Sequence, residues 1–219
     1  MGEIITIDGP SGVGKSTVSR SLAGILNYLY LDTGAMYRAV ALAASRASTG
    51  LLDGPSLAEM CASMDLSFRK KRGEWRIYIR EEDVSTAIRS PEMDRASSQI
   101  STVREVREAM TVLQRKIAIG FSVVAEGRDM GTVVFPDARY KFFLVAPPEI
   151  RARRRYLERL DKGDSVPLEN VASEMKERDE RDSTRKLAPL KPAEDAIVVE
   201  TGCLNREEVV SLILKHINP

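Results

Sequence analysis

Lys15 and Ser16 close a segment whose spacing is specific enough to imply chemistry. Gly9-Pro10-Ser11-Gly12-Val13-Gly14-Lys15-Ser16-Thr17 matches G-x-x-x-x-G-K-[ST]. Glycines at these places let the backbone close around a phosphate where a Cβ would intrude. The N–H groups so released, with the N-terminus of a following helix, point at an anion. In such a loop Lys15 reaches β- and γ-phosphates and the Ser16 hydroxyl holds a magnesium ion, so the segment predicts binding of a nucleoside triphosphate. Other groups with phosphate chemistry follow. Arg38 stands just after the second apolar run, and a guanidinium fork matches phosphate oxygens bidentately. Glu126-Gly127-Arg128-Asp129 ends the third apolar run, where a carboxylate can approach magnesium or substrate; Glu126 and Asp129 are both candidates. Arg178, Asp182 and Arg185 are spaced i, i+4, i+7 and project from one helical face.

The elements that must carry these groups alternate. Ile4–Asp8 is a β-branched run that reads as a buried strand, and Val18, Leu22, Ile25 and Leu26 put one face of a helix behind the loop. Leu29-Tyr30-Leu31 is a second strand, with Tyr37 and Arg38 opening the next helix. After a short helix from Ser56, Leu66–Arg69 and Trp75–Arg80 alternate apolar and polar around a turn at 70–73. This hairpin interrupts the alternation, so residues 52–95 are expected to form an insert on the substrate side. Two helices follow, with Ser97-Ser98-Gln99 between them and with Arg104 and Arg107 on one face of the second. The remaining strands are Phe121–Ala125, Lys141–Val145 and Ala196–Glu200, the last followed by a helix capped by Asn205 with Glu208. Between the fourth and fifth strands lie two charged helices, one with Arg151, Arg153, Arg154, Arg155 and Arg159. These are expected to form a lid over residues 150–187 whose arginines close on phosphates and exclude water. The whole is an α/β chain, residues 1–219 as one domain, with a five-stranded parallel sheet covered on both faces.

Composition sets the outer bounds. At 219 residues, 43% hydrophobic and 30% charged, the chain reads as a globular protein able to bury a core. A net charge of +1 gives no global case for nucleic acid or a membrane surface, and no apolar run nears the ~20 residues of a membrane span. Cys61 and Cys203 lack metal-ligand spacing and read as reduced thiols, and the start of the first strand at Ile4 leaves no room for a signal peptide, so a cytoplasmic protein is expected. With His216 its single histidine, the chain is not expected to rely on histidine bases or metal clusters. No stretch reads as a dimer seam, and a monomer is expected. A regulatory GTPase would carry D-x-x-G and N-K-x-D segments, and the sequence has neither.

Four segments, IDGPSGVGKST (7–17), LDTGAMYR (31–38), EGRDMGTVVFPDA (126–138) and KERDERD (176–182), together resemble bacterial cytidylate kinase in order and spacing over most of the chain. The resemblance implies transfer of the γ-phosphoryl of ATP to CMP or dCMP, a sheet ordered 2-3-1-4-5, an enlarged CMP-binding insert and a lid. It assigns Ser98, Arg107 and Asp129 to the cytosine edge and Asp182 with Arg185 to the sugar side. Arg38, Arg128 and Arg178 fall on phosphate-binding arginines, with Thr33 and Tyr37 lining the same pocket. Glu126 stands where many members carry Asp, and Thr33 where some carry Ser; both keep the functional group. A P-loop kinase for another small acceptor is the alternative.

Overall fold

The computed structural model describes residues 2–161 and 163–217; Lys162, within the expected lid range, lies outside the described residues, as do the termini of the expected 1–219 domain. In chain order the elements are β1 (Ile4–Asp8), α1 (Lys15–Leu26), β2 (Leu29–Asp32), α2 (Thr33–Arg46), α3 (Gly54–Ser63), β3 (Leu66–Lys71), β4 (Glu74–Ile79) and β5 (Glu82–Asp83). After a 3-10 turn at Ala87–Arg89 come α4 (Pro91–Ile100), α5 (Arg104–Ala118) and β6 (Val123–Gly127). A π-helical turn, Met130–Val134, precedes β7 (Tyr140–Val145), α6 (Pro148–Asp161), α7 (Leu168–Thr184), β8 (Ile197–Glu200) and α8 (Arg206–Ile217). Among the described residues, no helix is long and apolar enough to cross a membrane.

A five-stranded sheet runs β2-β6-β1-β7-β8, which, counting only these strands along the chain, is the order 2-3-1-4-5. The pairings β6–β1, β1–β7 and β7–β8 are parallel. Parallel strands covered on both faces need side chains that tolerate burial all round, and Ile5, Ile7, Val123, Val124 and Leu144 meet that need. The chain forms two compact units, residues 30–120 and residues 2–29 with 121–217.

In the unit made of 2–29 and 121–217, α1 packs on β6 and α8. Its buried residues are Lys15, Val18, Ser19, Leu22 and Ala23, whereas Ile25 is 61% exposed. The apolar stripe is therefore narrower than the periodicity suggested, because it ends where the helix passes the edge of what it covers. The third central strand likewise begins at Val123, not Phe121, which is 55% exposed. α6 and α7 bury Ala152, Val171 and Met175 together, with Tyr156, Val166 and Ala172 against them. Asn205 and Glu208 cap α8 reciprocally, each side chain accepting the other's backbone N–H at 3.0 and 2.8 Å.

In the unit 30–120, α2 packs on α4 and α3 on α5. The core is built from residues such as Leu57, Ile88, Ile100, Val106 and Met110. α2 begins at Thr33, earlier than Tyr37, because the Asp32 carboxylate accepts from the Ala35 amide at 2.7 Å and caps the helix. The hairpin strands run to Lys71 and Glu74, which pair, so the turn contracts to Arg72-Gly73 and a third short strand, β5, joins β4. Both turn residues have positive φ, 51° and 85°, as the two-residue turn that matches strand twist requires. Arg72 carries a Cβ in that left-handed region, which costs roughly 1–2 kcal/mol and which Asn tolerates better. Arg72→Asn is accordingly expected to raise the unfolding free energy by roughly 0.5 kcal/mol in urea titrations. A loss of stability would mean that the Arg72 side chain contributes more than its backbone costs.

Candidate active site

The phosphate-binding loop is built by backbone approaches that exclude side chains. Gly9 has φ 148°, and a Cβ there would lie 2.3 Å from the Leu144 carbonyl oxygen on β7. At Gly12, φ 73°, a Cβ would lie 2.8 Å from the Arg151 carbonyl oxygen. The first turn of α1 has no side-chain cap, since Gly14 occupies the N-cap. Its leading amides are thus available to an anion. Lys15 is buried, its Nζ donating to the Pro10 carbonyl at 2.6 Å across the loop. Burial, then Arg128, push its ammonium well below the usual lysine range, with Arg178 adding to the effect and Glu126 and Asp8 opposing it. Ser16 and Thr17, by contrast, are exposed.

The end of β6 brings the second group of predicted residues into the same unit. Arg128 Nε donates to Asp182 at 2.9 Å, and Arg185 lies 3.6 Å from the other oxygen of that carboxylate. Burial alone would raise Asp182, but Arg128, Arg178 and Arg185 outweigh it and hold the carboxyl below its ordinary range. Glu126 and Asp129 are buried beside this cluster's strand end. Arg151 and Asp179 were not singled out as a pair by the sequence, yet together they hold the tip of the loop. Arg151 Nη1 donates to the Ser11 carbonyl at 3.1 Å and to Asp179 at 2.5 Å, while the Ser11 amide donates to Asp179 at 3.4 Å.

Within residues 30–120 the remaining predicted groups also converge. Arg38 is buried between Asp32 and Asp94, 3.5 Å from each carboxylate. Asp32 also accepts from Arg89 at 2.9 Å. Burial opposes its ionisation, yet Arg38 and Arg89 hold its carboxyl below the ordinary range. Arg107 is buried, donates to the Ser101 carbonyl at 3.1 Å and sets its guanidinium 5.9 Å from the Tyr37 ring centroid. Ser98 and Thr33 are buried in the same unit. Arg104 does not accompany Arg107; its side chain is 64% exposed and pairs loosely with Glu108.

The family model for cytidylate kinase matches residues 5–219. The chain belongs to the cytidylate kinase family. A cytidylate kinase of Syntrophotalea carbinolica is 50% identical over 97% of this chain and 90% of its own length. One of Caldanaerobacter subterraneus is 48% identical over 97% of this chain and 93% of its own. Among solved structures, an uncharacterized protein from Eubacterium ventriosum covers 99% of this chain and 98% of its own at 14% identity and a TM-score of 0.53, a likeness of fold alone.

In this family member, the carboxylate most directly tied to the phosphate-loop strand is one that the sequence reading left unremarked. Asp8, the last residue of β1, accepts from the Met130 and Gly131 amides at 2.9 and 2.8 Å. Its available signal was an acidic residue ending an otherwise buried strand. Burial pushes its carboxyl up to about 6 against those two donors, with Asp129 adding to the rise and Lys15 opposing it. Asp8 therefore binds its proton more tightly folded than unfolded. Its favourable contribution is full below its ordinary value of 3.8 and is lost as pH rises through about 6. The change amounts to about 3 kcal/mol. The unfolding free energy of wild type relative to Asp8→Asn is thus expected to fall by about that amount between a pH below 3.8 and a pH above about 6 in denaturant titrations. A difference independent of pH would mean that Asp8 titrates normally.

Proposed function

We propose that this cytidylate kinase family member transfers the γ-phosphoryl of ATP to CMP or dCMP, yielding ADP and CDP or dCDP. The observation that carries the reading is Lys15, driven toward neutrality by burial and by Arg128 and Arg178. An anionic phosphoryl group is the partner that restores its charge. In this reading Gly9, Pro10, Ser11, Gly12, Val13, Gly14, Lys15, Ser16 and Thr17 cradle the ATP phosphates.

The donor set suits magnesium. Ser16 is exposed on an uncapped first turn, and Glu126 or Asp129 is the acidic candidate at the neighbouring strand end. Among the described residues no group of three or more His, Cys, Asp or Glu could hold a metal. Magnesium needs no such cage, because it keeps waters and phosphate oxygens with one or two protein ligands. When bound with ATP it neutralises charge on the β- and γ-oxygens.

The acceptor phosphate oxygen is already anionic, so the enzyme needs no general base. Its task is in-line positioning and neutralisation of the moving charge, assigned to Lys15, Arg128, Arg178 and Arg185. Arg38, with Arg128 and Arg178, takes the acceptor phosphate; its two carboxylate partners at 3.5 Å are loose enough to exchange for phosphate oxygens. Asp182 and Arg185 take the sugar side, and Thr33 and Tyr37 line the acceptor pocket. Ser98, Arg107 and Asp129 read cytosine. Its exocyclic amino group calls for a carboxylate, and its N3 and O2 for donors. Uracil would turn a carbonyl toward that carboxylate, at about 1–3 kcal/mol. Residues 52–95 act as the CMP-binding insert and 150–187 as the lid, in a monomeric cytoplasmic enzyme.

A coupled assay across CMP, dCMP, UMP, AMP and GMP tests the assignment, and a preference for AMP or GMP would refute it. Lys15→Ala is expected to lower kcat by about 10²–10³-fold, with circular dichroism unchanged. Near-normal turnover would remove the loop from the mechanism. Asp129→Ala is expected to raise KM for CMP about tenfold, with KM for ATP much less affected; equal losses would place Asp129 on the metal.

A further inference from the structure

Asp129 occupies the N-cap of the helical turn Met130–Val134, at φ −147°, yet its side chain makes no capping hydrogen bond. A short carboxylate in that position ordinarily turns back to accept an amide hydrogen from the second or third helical residue. Here the leading amides are taken from outside the segment. Asp8 Oδ1 accepts from Met130 at 2.9 Å and Oδ2 from Gly131 at 2.8 Å, so one buried carboxylate on β1 satisfies both. The turn is seated tightly. A Cβ on Gly131 would stand 3.0 Å from Thr6 Oγ1 on β1 and 3.3 Å from the Lys141 side chain on β7. β1 then runs from Asp8 directly into Gly9, so the residue that caps the turn also begins the phosphate loop.

A carboxylate buried at this point costs stability, since burial is the largest influence on its protonation and acts against the charged form. A cap alone could be supplied by Asp129 itself with no buried charge on β1. What the arrangement adds is a second carboxylate, Asp129, that is not used for capping although it stands at the N-cap.

We propose that Asp8 is a positioning residue for acceptor selection: by capping the 130–134 turn from β1, it relieves Asp129 of that task and fixes the Asp129 carboxylate for the acceptor base. The proposal rests on the reading above that Asp129 faces that base. Removing the acceptor oxygens of Asp8 lets Asp129 turn back onto the vacated amides, so an Asp8 variant inherits the specificity defect of an Asp129 variant.

The test is Asp8→Asn, which keeps side-chain shape but turns an amino group toward one of the two amides. In the full-length free protein, exchange of the Met130 and Gly131 amide hydrogens, followed by NMR, is expected to quicken by about tenfold or more. In steady-state assays KM for CMP is expected to rise about tenfold, KM for ATP to change less than about twofold, and the preference for CMP over UMP to shrink. Unchanged amide exchange, equal rises in both KM values, or an unaltered CMP preference would each overturn the proposal. Wild type assayed in parallel separates the two readings: failure to use CMP there refutes the kinase assignment, while amide exchange still tests the cap. If Asp8→Asn does not fold, Asp129→Ala decides. With the cap supplied by Asp8, its Tm is expected to lie no more than about 2 °C below wild type. A fall of about 5 °C or more would show Asp129 to be the cap and reject the proposal.

Discussion

An ammonium group taken out of water demands an anion, and the unit formed by 2–29 and 121–217 is arranged around one such demand. Lys15 is buried, and burial and Arg128, with Arg178, hold its ammonium well below the usual lysine range against the opposing Glu126 and Asp8. That is the reverse of what a fold selected for stability alone would build. It becomes intelligible when the missing counter-charge is a phosphoryl group, which the uncapped amides of α1 and the closed glycine loop are shaped to receive. Glycine at positions 9 and 12 follows from the same demand, because the loop must press on Leu144 and Arg151 backbone to leave its concave side open.

Arg38 and Arg128 follow a second rule: each is held by carboxylates. Arg38 sits between two carboxylates at 3.5 Å instead of forming one tight bidentate pair. Asp32 would be an uncompensated buried charge if Arg38 departed, except that Arg89 keeps a 2.9 Å bond to it. Arg128 is similarly oriented by Asp182, which Arg185 also approaches. Guanidiniums ordered this way lose less rotamer freedom when they meet an anion, which is what electrostatic preorganisation requires.

How much of this could be read from the chain depends on sequence distance. The phosphate loop was legible because its chemistry lies within nine consecutive residues, 9–17, and the buried parallel strands because their apolar runs are local. The spacing of Arg178, Asp182 and Arg185 predicted one helical face, but α7 ends at Thr184 and Arg185 reaches Asp182 from the cap position at 3.6 Å. The Arg151–Asp179 clamp on Ser11 was not legible, since its members come from α6, α7 and the loop, up to 168 residues apart. Helical phase also says which residues share a face, not where a neighbour stops covering it. Ile25 and Arg104 failed for that reason, each lying on a stripe beyond the edge of what the helix packs against.

Asp8 shows why such distances matter for function. Its partners are 122 and 123 residues away, yet it adjoins Gly9 in the chain. The Met130–Val134 turn is therefore joined to the first residue of the phosphate loop through one side chain and one peptide bond. A rigid strand end is a better carrier of that coupling than a loop, because β1 is hydrogen-bonded on both sides, to β6 and to β7, through Asp8 itself. The raised proton affinity of Asp8 is the energetic trace of this placement: a carboxylate located by what it must hold, at the expense of its own solvation.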